Sequence, residues 1–161
     1  VLVDKATTAG YIFPLAYLKA QGIDKLEDYF SRIFFAGNHD AAAWSVYICE
    51  ADVGACKNHV FNKLGQENPD FKDKMLILAE SKPVPQNTLA VAKDFDPQLK
   101  EKIKQALLGL DKTQEGKKVL EEFGAARFIP TQDKDYQPLY EMLEELKIDL
   151  LNIDLKAHPF K

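Results

Sequence analysis

The sequence predicts an α/β protein, and two observations carry that prediction. Short apolar runs at residues 1–4, 32–36, 52–56, 74–80 and 88–92 alternate with stretches of helical period. The first two runs pass through small residues and glycine (Ala9-Gly10, Gly37) into a helix, as parallel strands do at the edge where ligands collect. With 161 residues, 46% of them hydrophobic and 29% charged, the chain can build one ordinary core or two small lobes around a hinge.

Val1-Leu2-Val3 opens as a strand, and the pattern from Thr8 to about Gln21 reads as a helix stopped by Gly22, with Pro14 loosening its first turns. Residues 26–30 form a helical turn. RIFFA (32–36) is a compact strand closed by Gly37, and residues 38–50 form a helix rich enough in alanine and apolar side chains to be buried on most sides. A short strand at 52–56 precedes a helix from His59 to Leu64 ending at Gly65, and KMLILAE (74–80) has the composition of a buried strand.

Ser81 to Asn87, with Pro83 and Pro85, breaks regularity as a crossing or hinge does. This divides the chain into a ligand-binding lobe at 1–84 and a crossing plus helical part at 85–161. Asp96-Pro97 is an N-cap followed by proline at the first helical position, and Leu99, Ile103, Leu107 and Leu110 line one face of the helix that follows. Further helices run from about Thr113 to Phe123, stopped by Gly124, and from near Tyr136 to about Ile148. The apolar tail 150–155 is expected to pack on its own lobe.

The residues with chemical promise gather where strands give way to helices. Thr7, Thr8, Ala9 and Gly10 combine two hydroxyls with helix-start amides that have no internal acceptor, which makes a cradle for an oxyanion. The same residues would also serve as an ordinary cap. His39, after Gly37-Asn38, stands at the top of the second strand on the same edge and can donate to an anion. Lys57, Asn58 and His59 follow the third strand onto that edge, and Gln86 and Asn87 lie just past the crossing. Lys5 reads as a solvated charge and Asp52 as a turn-fixing residue.

A net charge of −4 argues against nucleic acid as a partner. No apolar run approaches the ~20 residues that cross a bilayer. No nucleophile elbow, P-loop, HExxH or CxxC is present, so no catalytic residue, metal site or cofactor is expected. Cys49 and Cys56 are read as two buried free thiols ahead of a disulfide, both remaining open.

Taken in order, VDKATTAGYIFP, FFAGNHDAAAWSVYICEADVGA and SKPVP…LAVAKDFDPQLKEKIKQALLGL resemble the phosphonate/phosphite-binding proteins of ABC importers, the PhnD-like family. Phe128-Ile129-Pro130-Thr131-Gln132-Asp133 with Tyr136 continue the likeness, which covers most of residues 1–145. The resemblance implies a type II periplasmic-binding-protein-like fold, here one complete lobe plus the C-terminal part of the other, closing on its ligand by a hinge. It implies that Thr7, Thr8 and the Ala9 amide bind a phosphorus oxyanion (phosphonate, phosphite or phosphate), with His39 as a further donor; His59 and Asn87 join them as candidate ligand residues by their places after the third strand and the crossing.

The resemblance also implies an ABC permease as partner and a periplasmic or extracytoplasmic location, lipid-anchored through a preceding segment. Because the chain opens mid-strand at valine, a longer N-terminal segment or a second polypeptide is expected to complete lobe one. Family members that bind an aminoalkyl phosphonate can present acidic residues where His59 and Gln86-Asn87 stand here, so a ligand without an ammonium group is expected. Two other readings compete: a sensory domain of the same fold joined to a signalling protein, and an interaction module that has lost its ligand.

Overall fold

A computed structural model describes residues 1–86 and 88–149, so Asn87, the 150–155 tail and His158 lie outside the described residues. The described residues divide into two compact units, Val1–Pro83 joined by residues 137–149, and Val84–Tyr136.

In the first unit a π-helical turn, Thr8–Ile12, runs directly into α1 (Phe13–Ala20). Pro14 explains this junction. It has no N–H to donate back to the Gly10 carbonyl, and that oxygen instead accepts the Val3 amide at 3.0 Å. The Phe13 N–H reaches back to the Thr8 carbonyl, the wider π spacing. After α1, Gly22 takes φ +87° and a short 3₁₀ turn spans Leu26–Asp28.

Helix α2 (His39–Tyr47) is capped by Asn38, whose side-chain oxygen accepts the Ala41 amide at 2.7 Å. It is less buried than its composition suggests: Ala42, Ala43 and Ser45 are its buried residues. Helix α3 (Asn58–Glu67) continues through Gly65 rather than ending there. Val60 and Leu64, one turn apart, are both buried, and their packing outweighs the cost of about 1 kcal/mol for an internal glycine.

The short helix α4 (Phe71–Lys74) carries the centre of the core. Phe71 is wholly buried among Ala43, Val60 and Leu64. Its ring stacks on Tyr47 at 5.2 Å and meets Phe61 edge-on at 5.3 Å. Tyr47 donates its hydroxyl to Asp70 at 2.8 Å, and Lys74 pairs with Asp70 at 2.6 Å. The terminal helix of the unit, α7 (Gln137–Leu146), packs on α1, and Lys19 Nζ donates to the Glu145 carbonyl at 2.6 Å, near the negative end of that helix.

The second unit holds α5 (Pro97–Leu108) and α6 (Gln114–Phe123). Asp96 caps α5 by accepting the Leu99 amide at 2.7 Å, as its Asp-Pro signal predicts, and Gly124 closes α6 at φ +75°. Leu120 is buried under the 3₁₀ turn Leu110–Lys112, whereas on the apolar face of α5 Leu99 and Ile103 are exposed and Leu107, with Leu110 just past the helix, is half-buried, so that face is covered only toward its C-terminal end. Thr88 and Tyr136 share a hydrogen bond between their hydroxyls.

The strands are where expectation and structure part. No strand forms among the described residues; one parallel bridge, Leu2 to Phe35, is the trace of a sheet. Residues 74–80 do not make the buried strand that their composition predicts. Lys74 closes α4, and Leu76, Ile77 and Leu78 are 82, 52 and 61% exposed. Leu89 and Val91 are exposed likewise. An apolar run states which residues favour burial; a strand also needs a neighbouring backbone to complete its ladder, and these segments have none among the described residues.

Candidate functional site

The first unit brings extended segments side by side and starts a helix from the end of each. The Leu2 amide donates to the Phe34 carbonyl at 2.9 Å, the Ala36 amide to Leu2 at 2.8 Å, and the Gly37 amide to Val3 at 2.9 Å. On the other flank the Val1 nitrogen donates to the Val53 carbonyl at 2.6 Å. The segment order is therefore 34–37, 1–3, 53, with the first segment central. The first segment leads into the turn at Thr8, the second into α2 at His39 and the third into α3 at Asn58. Helix starts gathered in this way concentrate unsatisfied N–H groups and positive dipole ends at one edge.

The first helix start is organised by Asp4. Its side-chain oxygen accepts the Ala6 amide at 2.8 Å, and its carbonyl accepts both the Thr7 amide at 3.1 Å and the Thr7 hydroxyl at 2.6 Å. Thr7 thus commits its hydroxyl proton to the turn, which leaves Thr8 and the amides of Thr8, Ala9 and Gly10 as the donors with no acceptor inside the helix. Gly10 is essential to this placement. A Cβ there would lie 2.5 Å from Val3 Cγ2 and 2.7 Å from Thr7 Oγ1, so only glycine lets the turn close onto the first segment.

The second start depends on Gly37, whose φ of +81° swings the chain from the extended segment to the Asn38 cap. His39, at the first helical position, is half-buried, and its Nδ1 accepts the Lys57 backbone N–H at 3.2 Å. Burial lowers its pKa, the charges of Lys57 and His59 lower it further, and Asp40 works in the opposite direction. His59 lies exposed in the first turn of α3, its amide donating to the Asn58 side chain at 2.8 Å. Thr7, Thr8, Ala9, His39 and His59 therefore all belong to helix starts of the first unit.

Asp4 is the organising residue that a search for donors overlooks, although an aspartate three residues before a threonine is a recognisable turn signal. The Lys57 amide had no such signal, since its bond to His39 spans 18 residues of sequence. Of the cysteines, Cys49 is exposed with φ +61° and Cys56 half-buried. Both are free thiols, so the expectation of burial fails for Cys49, which occupies the left-handed exit of α2.

No helix among the described residues is long and apolar enough to cross a membrane. Residues 1–136 match the family model described as "ABC transporter, phosphonate, periplasmic substrate-binding protein". A curated relative, the phosphonates-binding periplasmic protein of Escherichia coli (strain K12), is 27% identical over 139 residues, which is 86% of this chain and 40% of that protein. The chain thus spans about 40% of the length of that relative. With the family model covering most of its length, the chain belongs to the phosphonate periplasmic substrate-binding protein family of ABC transporters.

Proposed function

We propose that this chain acts, without catalysis, in the solute-binding component of an ABC importer, outside the cytoplasm, and captures a phosphorus oxyanion such as phosphonate, phosphite or phosphate. The observation that carries this reading is the gathering of the helix starts at Thr8, His39 and Asn58 beside one another, joined by the Val3–Gly37, Val1–Val53 and Lys57–His39 hydrogen bonds. Thr8, Ala9 and His39 supply donors, Thr7 holds the turn that presents them, and His59 stands by the third start. Asn87, just past the crossing in sequence, stays a candidate ligand neighbour.

Magnitudes favour a shared site. About four charge-assisted hydrogen bonds contribute roughly 6–12 kcal/mol gross. Micromolar affinity needs about 8 kcal/mol, and association itself costs several. One edge alone binds weakly, and closure of a second lobe over the anion adds contacts and excludes water. The permease receives the loaded protein.

Histidine at position 59, with Gln86 and Asn87 at the crossing, gives an ammonium group no carboxylate at the places where family members that bind aminoalkyl phosphonates can provide one. Isothermal titration is expected to show methylphosphonate or phosphite bound more tightly than 2-aminoethylphosphonate. The reverse order overturns the ligand class, and no heat from any phosphorus oxyanion overturns the binding function.

A further inference from the structure

We propose that the backbone at the start of α3 fixes His39 as a neutral imidazole with its proton on Nε2, so that His39 meets the ligand as a dipolar Nε2–H donor and not as a cation. This rests on the oxyanion-binding reading for the ligand's identity, but the tautomer itself follows from hydrogen-bond geometry in the free chain.

A backbone N–H can only donate. The Lys57 amide points at His39 Nδ1 from 3.2 Å, so Nδ1 must offer its lone pair and cannot carry a proton. A neutral ring with a bare Nδ1 carries its hydrogen on Nε2, the atom on the far side of the ring. Protonating Nδ1 would set two N–H groups against each other in a part-buried position and leave the Lys57 amide without its acceptor.

The surroundings act in the same direction. Burial comes first, and of the charged groups that bear on the ring, Lys57 and His59 at the start of α3 both oppose a second positive charge. Asp40, on the ring's own helix, is the group that favours it and has the smallest influence of the four. The ring is also held at its base: the Asn38 cap sets the first turn of α2, and His39 is the first residue of that turn. Lys57 is therefore a positioning residue acting through its main chain, which orients a side chain on a different helix.

The consequence is a site whose histidine needs no proton to work. Anion capture draws on neutral dipoles at this position, so His39 takes up no proton when the ligand binds near neutral pH. A substitution that keeps a donor at the Nε2 position keeps the interaction, and one that keeps only an acceptor near Nδ1 does not. Glutamine extends an amide nitrogen to about the reach of Nε2, whereas asparagine ends near the place of Nδ1 and can still accept the Lys57 N–H.

Long-range ¹H–¹⁵N correlation spectra of the ¹⁵N-labelled chain, with the His39 signals identified by their loss in His39→Asn, decide the tautomer without any ligand. The expected result at pH 7 to 8 is an unprotonated Nδ1 and a protonated Nε2; an Nδ1–H tautomer or an imidazolium in that range overturns the proposal. Calorimetry with methylphosphonate then separates the two readings. His39→Asn is expected to bind about tenfold or more weakly than the parent, the loss of one charge-assisted hydrogen bond, and His39→Gln to recover part of that loss through its amide nitrogen.

The heat in buffers of different ionisation enthalpy should show the same proton uptake for the parent and His39→Gln. Proton uptake by the parent that disappears in His39→Gln overturns the proposal. Failure of the parent to bind any phosphorus oxyanion, with the Nε2–H tautomer present, overturns the proposed function and leaves the Lys57 lock established.

Discussion

Gly10→Ala is expected to destabilise the chain by about 1–3 kcal/mol, the usual cost of forcing an extra methyl into a filled space, and to remove oxyanion binding at accessible concentrations. The added Cβ would stand 2.5 Å from Val3 Cγ2 and 2.7 Å from the Thr7 hydroxyl oxygen. Neither neighbour can yield cheaply. Val3 is buried and donates its amide to the carbonyl of Gly10 itself, while the Thr7 hydroxyl is anchored on Asp4. The turn must therefore move off the central segment and take the amides of Thr8 and Ala9 with it. Thermal melting and calorimetry with methylphosphonate check the two effects, and a variant that melts and binds like the parent would show that the turn is not held by this contact.

Phe71→Ala, at the largest fully buried side chain among the described residues, is expected to cost about 3–5 kcal/mol. Phe71 is wholly buried and joins α2, α3 and α4 through Ala43, Val60 and Leu64, with Tyr47 stacked on its ring and Phe61 edge-on to it. Domains of this size are stable by about 5–15 kcal/mol, so the loss takes a large share of the total. Its functional consequence runs through α3. Once Val60 and Leu64 lose their anchor, the Lys57 amide no longer has a fixed position against His39. Denaturant unfolding should show the loss, and Phe71→Leu, which refills most of the space, should recover much of it. A Phe71→Ala variant within 1 kcal/mol of the parent would contradict this account of the core.

The two substitutions mark what the sequence makes legible and what it does not. Local signals transfer well: Asp96-Pro97 starts α5 with the cap it encodes, Thr113 and Gly124 bound α6, and Gly22 ends the first helix. Pro14 has the structural consequence expected of it, a loosened π turn, but its release of the Gly10 carbonyl to Val3 involves a partner seven residues away. Partnership is the quantity that patterns leave out. KMLILAE and the run at 88–92 have the composition of strands, yet Leu76, Ile77, Leu78 and Leu89 remain exposed, because composition cannot provide a neighbouring ladder.

The same division holds at the candidate site. Strand-to-helix passages at Thr7-Thr8 and Gly37-Asn38-His39 are visible as glycine-bearing junctions before helical periods. That Thr7 gives its proton to Asp4, and that His39 takes the Lys57 amide, are contacts between positions with no shared period. The family match spans residues 1–136 and so contains both of these junctions and the start of α3 at Asn58.

The most direct measurement is a titration of the ¹⁵N-labelled chain with methylphosphonate, followed through the backbone amide signals. The account predicts saturable shifts concentrated at Thr8, Ala9 and Gly10, at His39 and its neighbours in the first turn of α2, and at Lys57 to His59. Absence of saturable shifts, or shifts centred on residues of α5 and α6 with the three helix starts unmoved, would contradict it.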